Sequence, residues 1–236
     1  MIDIKNLSIS YDKKVIEEIS FMARPGEMTC LLGENGAGKS SIIKAIAGHI
    51  RYEGDILTRG EISYLNQDIN KNIGFTVFET ILIGRLKELG IKVKKEDQDR
   101  VREIIRLLGL TPIENKKIKN LSGGQAQLAF IGQALITDPD ILLLDEPVNG
   151  LDLKNKYKIL EIIKDICKSK NISCLLILHE LDLVEKFADQ IVVLKDKKIY
   201  KKGRKYEILT EDLIEKVYGV KARTLYKNDR IGFIIG

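Results

Sequence analysis

A glycine-rich stretch at residues 33–40 constrains the fold of this chain more than any other part of its sequence. A short apolar run, residues 28–32, leads into it, and residues 41–47 continue with helical spacing. Glycines let successive backbone N–H groups turn toward one anion, and the positive end of the following helix adds to the attraction. The order of strand, loop and helix predicts a phosphate-binding loop for a nucleoside triphosphate rather than a chance match in a glycine turn. Its residues are Gly33, Glu34, Asn35, Gly36, Ala37, Gly38, Lys39 and Ser40, with Ser41 directly after them.

Two side chains at the end of this loop carry specific expectations. Lys39 is placed to reach the β- and γ-phosphates of the nucleotide, and the Ser40 hydroxyl is placed to ligate Mg²⁺. The predicted ligands are therefore ATP or a related triphosphate, together with Mg²⁺.

A pair of adjacent acids follows a second apolar run. Residues 141–144 predict a buried strand that ends at Asp145 and Glu146. Asp145 can bring its carboxylate to the metal, usually through water, and Glu146 can orient or deprotonate an attacking water. Two acids could instead cap the next helix. The apolar strand directly before them favours the catalytic interpretation.

The rest of the chain alternates strand and helix patterns, which predicts an α/β fold with a mostly parallel sheet. Residues 2–10 and 15–23 predict strands at the amino end, before a turn at Pro25 and Gly26. Further strands are predicted at 61–65, 175–178 and 191–194, and helices at 126–136, at 153–167 and at the start of the tail, 211–218. Residues 72–120 differ, because helical patterns at 77–89 and 101–108 dominate them, and this segment is interpreted as a helical insertion.

Composition narrows the class of protein. The 236 residues carry 39 Lys and Arg against 34 Asp and Glu, and a net charge of +5 does not indicate a nucleic-acid binder. Residues 195–205 are the most basic stretch, interpreted as a solvated hairpin and loop rather than an RNA or anionic-lipid surface. Cys30 and Cys174 lie in apolar runs and are interpreted as core residues, and with Cys167 they suggest no zinc site or disulfide framework.

No secretory leader or membrane span is recognisable, so a cytosolic chain is expected. If it serves a membrane process, another chain must supply the membrane part.

A third motif identifies a family. Leu121 precedes Ser122, Gly123, Gly124 and Gln125, which open an apolar-striped helix about twenty residues before Asp145. Together with the two earlier motifs, this segment resembles the ATPase subunits of ATP-binding cassette (ABC) transporters over nearly the whole chain. The resemblance implies a P-loop NTPase core with a mostly parallel sheet, an N-terminal antiparallel β subdomain and an inserted α-helical subdomain. The expected arrangement is one domain over 1–236, with core parts at about 1–71 and 126–236 and the insertion at about 72–125.

Further positions match the family pattern individually. Tyr11 corresponds to the aromatic residue that stacks on adenine, and Gln67 to the glutamine that contacts Mg²⁺ or the attacking water. His179 corresponds to the histidine that contacts the γ-phosphate. The segment from Asn149 to Asp152 corresponds to the loop that crosses to an opposing subunit.

The resemblance also implies partners. The phosphate loop of one subunit is expected to face the Ser122–Gln125 segment of a second copy, so that one chain carries two half-sites. The other expected partners are a polytopic membrane permease and, indirectly, a substrate-binding protein, with no nucleic acid. The chain is therefore expected at the cytoplasmic face of the cell membrane, held there through the permease.

Some positions depart from the family's usual residues. Leu128 and Gln133 stand where arginines are common, Val148 and Asn149 replace small hydroxyl residues, and Ser41 replaces a common Thr. None of these changes removes a direct phosphate or metal ligand. These changes concern the turnover rate and the communication between subunits, whereas nucleotide binding is expected to be kept.

Three segments resemble importers of iron–siderophore, haem and cobalamin. They are residues 76–85, residues 179–189, and the tail from Leu209 to Val220. The short distance from Lys39 to Gln67 resembles zinc and manganese importers instead, which stay open as an alternative. A soluble cassette protein acting on ribosomes or DNA, and a nucleotide-gated switch without turnover, are weaker alternatives.

Overall fold

The computed structural model describes residues 1–67, 70–86, 93–227 and 230–236. Its strands are β1 (Ile2–Ser10), β2 (Lys14–Ala23), β3 (Met28–Leu32), β4 (Glu53–Thr58), β5 (Ile62–Leu65), β6 (Ile141–Leu144), β7 (Ser173–Ile177), β8 (Gln190–Lys195), β9 (Lys198–Arg204), β10 (Ala222–Lys227) and β11 (Arg230–Ile235). Its α-helices are α1 (Lys39–Ile46), α2 (Val77–Ile83), α3 (Lys95–Leu107), α4 (Gly123–Leu135), α5 (Leu153–Ser169), α6 (Leu181–Phe187), α7 (Lys205–Ile208) and α8 (Glu211–Tyr218).

A six-stranded sheet in the order β5-β6-β7-β3-β8-β9 forms the centre of the molecule. All neighbouring strands in it are parallel except β8 and β9, which form an antiparallel hairpin. Every residue of β3, β6 and β7 is buried, as expected for strands covered on both faces. The predicted α/β fold with a mostly parallel sheet is therefore confirmed.

A separate antiparallel sheet, in the order β2-β1-β4, packs on one face of the central sheet. Ile4 of β1 pairs with Phe21 of β2 and with Ile56 of β4. A core cluster that includes Ile42 and Ile43 of α1 joins this sheet to the central one. Strand β4 was not predicted, because its residues are mostly exposed and show little apolar alternation.

Helices α2, α3 and α4 pack together next to the central sheet. Val77 and Ile81 of α2, and Ile104 and Ile105 of α3, belong to the same buried cluster as the inner face of α4. The predicted helix at 77–89 ends earlier, at Ile83, and residues 84–86 continue as tight turns whose N–H groups bond three residues back. Leu89 lies outside the described residues, and the limits of the helical insertion stay a prediction.

The basic stretch covers the β8–β9 turn, strand β9 and the first residue of α7 rather than a hairpin followed by a loop, and several of its lysines are engaged. Lys202 Nζ donates to the Ser20 carbonyl at 2.6 Å, and Lys201 pairs with Asp212 at 2.8 Å. The tail helix occupies the predicted residues, 211–218, and β10 and β11 form a two-stranded hairpin after it. All three cysteines are buried and free. Within the described ranges, no helix combines the length and the apolar character that crossing a membrane requires.

We predict that removing the Ser173 hydroxyl weakens the junction of the two sheets. Ser173 Oγ, fully buried on β7, donates to the carbonyl of Ala23 on β2 at 3.1 Å. Ser173→Ala leaves that buried carbonyl without this donor and should lower the free energy of unfolding by about 1 to 2 kcal/mol in urea titrations. Ser169→Ala is the matched control, since the exposed Ser169 hydroxyl only bonds within its own helix, to Ile166. Equal unfolding midpoints for both variants would contradict the prediction.

Candidate nucleotide-binding and catalytic site

The glycine-rich loop connects the end of β3 to the start of α1, and Lys39 is the first residue of that helix. Gly38 before it has φ +92, and a Cβ there would lie 2.7 Å from the Ile16 side chain, so only glycine fits. The Lys39 side chain folds back over the loop, where Nζ donates to the carbonyls of Gly33 and Glu34 at 2.8 Å each. Burial lowers the pKa of Lys39, while the carboxylates of Glu146 and Asp145 act in the opposite direction. The loop thus holds the Lys39 ammonium group through two carbonyl bonds, which bonds to a phosphate can replace.

Ser40 and Asp145 meet at the edge of the central sheet. Ser40 Oγ donates to Asp145 Oδ1 at 3.0 Å, and Asp145 is buried at the end of β6. A hydroxyl and a carboxylate in contact supply the oxygen ligands that Mg²⁺ prefers. The residues present therefore fit the expected metal.

Glu146 is held by three side chains, two from distant segments of the chain and one from its own loop. Its Oε2 accepts from Gln67 Nε2 at 2.9 Å and from Asn149 Nδ2 at 2.7 Å, and its Oε1 lies 2.7 Å from His179 Nε2. Only 14% of the side chain is exposed. Its backbone has φ +51, a conformation that is uncommon outside glycine and that clusters at functional sites. The arrangement presents one fixed, hydrogen-bonded carboxylate beside the loop.

These residues line one concave pocket of about 560 Å³. The lining residues are Tyr11, Val15, Asn35, Gly36, Gly38, Lys39, Ser40, Ser41, Gln67, Glu146, Asn149 and His179. A nucleotide seated here would meet the loop, Glu146 and the amide side chains of Gln67 and Asn149, whereas Asp145 is not among the lining residues. A pocket that contains a buried lysine and a fixed carboxylate can bind a polyphosphate and deprotonate a water molecule beside it.

Not every predicted loop residue faces this pocket. Glu34 and Ala37 line a smaller cavity behind the loop, next to the β8–β9 turn, and Gly33 lies at the base of the loop. Tyr11 stands at the rim, and its hydroxyl lies 3.4 Å from Ser41 Oγ. Stacking of Tyr11 on adenine stays a prediction.

The Ser122–Gln125 segment does not line the pocket. Ser122 caps α4, since its Oγ accepts from the Gln125 N–H at 3.4 Å while the Gln125 side chain accepts from the Ser122 N–H at 3.2 Å. This reciprocal cap starts the helix at Gly123, three residues before the predicted start.

Asp152 also lies outside the pocket and caps α5. Its carboxylate accepts from the backbone N–H of Asn155 at 3.0 Å and from Asn155 Nδ2 at 2.6 Å, and these bonds lower its pKa. The Asn155 side chain packs against Gly124, where an added Cβ would come within 2.8 Å of it, and Leu151 packs against Gly123 in the same way. The two segments predicted to face another subunit are therefore in contact with each other within one chain.

Sequence reasoning did not predict the contacts of three residues of the site. Asn149 was noted as a departure and as the start of the loop that crosses to an opposing subunit, yet it bonds Glu146 of its own chain, and Val15 lines the pocket. Asn155 links Asp152 to Gly124. The spacing from Asp152 to Asn155, that of a cap and the third residue of its helix, was the one available signal.

Comparison with known proteins shows the family to which this chain belongs. Residues 16–149 match the family model described as ABC transporter. An uncharacterized ABC transporter ATP-binding protein of Methanocaldococcus jannaschii is 34% identical over 94% of this chain and 92% of its own. The petrobactin import ATP-binding protein of Bacillus subtilis is 29% identical over 98% of each chain. Relatives at 30 to 32% identity are named for manganese transport, hemin import and phosphonates import.

Comparison with solved structures gives the same family. A solved structure of a metal-chelate type ABC transporter in an inward-facing conformation matches with a TM-score of 0.92 at 25% identity, covering 100% of this chain and 96% of the other.

We predict that Gly124 tolerates a side chain only when Asn155 is shortened. Gly124→Ala places a methyl group on the Asn155 amide and should cost about 1 to 3 kcal/mol of unfolding free energy. Asn155→Ala in the same chain should recover most of that loss, because alanine is otherwise favoured over glycine within a helix. A double-mutant cycle by chemical unfolding measures the recovery.

Gly132→Ala on the same helix is the matched control for this cycle. Its added methyl group meets Ile81 and Leu108 instead. Asn155→Ala should not recover the unfolding free energy that Gly132→Ala loses. Additive losses for Gly124→Ala and Asn155→Ala would contradict the prediction.

Proposed function

Because the chain belongs to the ABC transporter family, we propose that it is the ATP-hydrolysing subunit of an importer. The observation that carries the proposal is the Glu146 carboxylate, held by Gln67, Asn149 and His179 beside the phosphate loop. A binding protein without turnover needs the loop but does not need a fixed carboxylate next to it.

ATP occupies the pocket with its phosphates on the loop. Lys39 leaves its two carbonyl partners for the β- and γ-phosphates, the backbone N–H groups of the loop surround the phosphates, and Tyr11 stacks on the adenine. Ser40, Asp145 and Gln67 would hold Mg²⁺. The metal, when bound, neutralises charge on the phosphate oxygens.

Hydrolysis uses the carboxylate as a general base. Glu146 accepts a proton from the attacking water, and Gln67 and His179 orient the water and the γ-phosphate. In the structure both side chains bond the carboxylate itself. Their release from it to the incoming phosphate and water would free the carboxylate to act on that water.

A second copy of the chain completes the site. Ser122, Gly123, Gly124 and Gln125 lie outside the pocket of their own chain, and the positive end of α4 begins there and would attract an anion. Facing copies would each place this helix start, together with the Asp152 turn, on the nucleotide of the other. The active unit is therefore a homodimer with two composite sites.

The permease docks in a groove between the central sheet and the insertion. A concavity of about 830 Å³ is lined by Tyr64 and Leu65 of β5, by Leu86 after α2, and by Phe130 of α4. Strand β5 connects this groove to Gln67, which lines the nucleotide pocket. A permease segment bound in the groove can therefore affect the nucleotide pocket through Gln67. The sequence predicts this contact near Gln67 and residues 72–90, of which residues 87–90 lie outside the described residues. This contact holds the chain peripherally at the cytoplasmic face of the membrane, with a substrate-binding protein as an indirect partner.

The transported substrate is a metal chelate of the iron–siderophore, haem or cobalamin type. The similarity to a petrobactin import protein and to a metal-chelate type transporter supports this choice over the other relatives. A manganese or zinc importer is the second candidate, favoured by the manganese relative and by the short segment from Lys39 to Gln67. Uptake assays of the reconstituted importer with a radiolabelled iron–siderophore and with free Mn²⁺ or Zn²⁺ separate the two.

We predict that Glu146→Gln lowers the ATP turnover number by about 10² to 10⁴-fold, because the amide is not a general base. The variant keeps the shape and an acceptor oxygen, so it should bind Mg–ATP as the wild type does and accumulate as an ATP-dependent dimer in size-exclusion chromatography. Glu180→Gln is the control, since this acid pairs with Lys156 outside the pocket and its loss should leave turnover unchanged. Wild-type turnover by Glu146→Gln would refute the assignment of the base.

We predict that Leu86→Ser weakens permease binding at least tenfold while the basal ATPase rate stays unchanged. Leu86 is 62% exposed in the groove, and burying a leucine contributes about 1.5 to 3 kcal/mol. The measurement is the affinity for the detergent-solubilised permease that co-purifies with the wild-type chain. Leu107→Ser is the control, because Leu107 is similarly exposed, at 46%, but lies on α3 outside the groove. Equal affinities of the two variants would place the docking surface elsewhere.

A further inference from the structure

Asn149 contacts the proposed base, and the proposed function leaves this side chain without a role. Asn149 Nδ2 donates to Glu146 Oε2 at 2.7 Å. Gln67 Nε2 donates to the same oxygen at 2.9 Å, and His179 Nε2 lies 2.7 Å from Oε1. The proposed mechanism transfers Gln67 and His179 to the nucleotide, the metal and the water. Of these three contacts, the one from Asn149 is therefore the one that the mechanism does not break.

The backbone also keeps Asn149 beside the acid. The Asn149 N–H donates to the Glu146 carbonyl at 3.2 Å, so the main chain and the side chain of Asn149 both bond the same residue. Val148, directly before Asn149, is buried and packs in the core cluster that contains β6 and the inner face of α4. The turn is thus fixed to the core of the molecule. Asn149 stays in place whether or not Gln67 and His179 keep their contacts.

The two oxygens of the Glu146 carboxylate have different partners. Oε2 accepts from the amides of Gln67 and Asn149, whereas Oε1 contacts the ring of His179. After Gln67 and His179 have left, Oε2 still accepts from Asn149, and Oε1 has lost its described partner. An ionised carboxylate oxygen that receives no hydrogen bond from the protein can accept one from water. The structure therefore distinguishes an anchored oxygen, Oε2, from an oxygen that becomes open to the attacking water, Oε1.

We propose that Asn149 is a positioning residue, which holds Glu146 by Oε2 so that Oε1 accepts the proton of the attacking water. The water oxygen bonds the γ-phosphorus, the water proton passes to Oε1, and the bond from the γ-phosphorus to ADP breaks with its electron pair on ADP. A glutamate side chain without partners occupies several rotamers, and a fixed orientation lowers the barrier of the proton transfer. The proposal rests on ATP hydrolysis with Glu146 as base, as in the proposed function.

The first experiment compares full-length Asn149→Ala with the wild type. Alanine removes the donor, so kcat should fall about tenfold. The dissociation constant of a non-hydrolysable ATP analogue with Mg²⁺ should change less than twofold, because the phosphate loop and the metal ligands are intact. This binding measurement also reports whether the variant is folded. An unchanged kcat, or a weaker affinity with an unchanged kcat, would overturn the proposal.

Asn149→Asp separates hydrogen bonding from packing. Aspartate has nearly the size and shape of asparagine, but it places a second carboxylate where the amide donor was. If Asn149 acts by donating to Glu146, kcat at saturating ATP should fall at least as far as in Asn149→Ala. A kcat near that of the wild type would show that only the shape of the side chain matters, and it would overturn the proposal.

A double variant tests whether the effect passes through the carboxylate. In the Glu146→Gln chain the base is already absent, so adding Asn149→Ala should change the residual turnover less than twofold. A further loss of about tenfold would mean that Asn149 acts independently of Glu146, and this result would overturn the proposal.

Asn115→Ala is the control, because Asn115 is an exposed asparagine between α3 and α4 that does not line the pocket. Its kcat should equal that of the wild type, and a loss equal to that of Asn149→Ala would overturn the proposal. Wild-type turnover by Glu146→Gln would refute the proposed base and this proposal together. Wild-type turnover by Asn149→Ala, with turnover lost in Glu146→Gln, would overturn this proposal alone.

Discussion

The parallel pairing of β5, β6, β7 and β3 is the constraint on which the site depends. In register, Leu65 pairs with Leu144, Leu144 with Leu176, and Leu31 with Ile177. Parallel strands end at the same edge, so the residues directly after one strand lie near those directly after its neighbours. Gln67, Asp145, His179 and Gly33 are far apart in sequence and arrive together for this reason. The apolar side chains that stabilise the sheet thereby also set the distances at which the polar groups meet.

At this edge of the sheet, the backbone of Glu146 adopts an energetically unfavourable conformation. Its positive φ is unfavourable for a residue with a side chain, and conformations of this kind cost about 1 to 3 kcal/mol. The turn directs the carboxylate to Gln67, Asn149 and His179, whose hydrogen bonds offset part of that cost. Bonds to an ionised group contribute more than neutral ones. The strain is therefore held by side chains to which the proposed mechanism assigns roles, and the proposed exchange of those partners for nucleotide and water would change the energy of the turn.

The buried elements were predictable from sequence, and the exposed or turn-dependent ones were not. The apolar runs that became β3, β6 and β7 are buried on both faces, so composition alone marks them. Strand β4 lies at the edge of the antiparallel sheet, where its residues form a strand because they pair with β1 rather than because they are buried. The contact of Asn155 with Gly124 depends on how α4 and α5 begin side by side, which no local pattern encodes. Motifs identified the loop and the acids, whereas their bonding partners required tertiary structure.

In the proposed homodimer, the segment from Glu146 to Asn155 would connect the two half-sites of one chain. At its beginning, Glu146 and Asn149 face the pocket proposed for the chain's own nucleotide. At its end, Asp152 and Asn155 hold the turn that packs against Gly124. In the proposed dimer, a displacement of Glu146 on ATP binding would have a path of ten residues to the surface offered to the opposing copy. Because that copy would present the same segment in the reverse sense, each nucleotide would stabilise the half-site that serves the other, and the two proposed sites would close together.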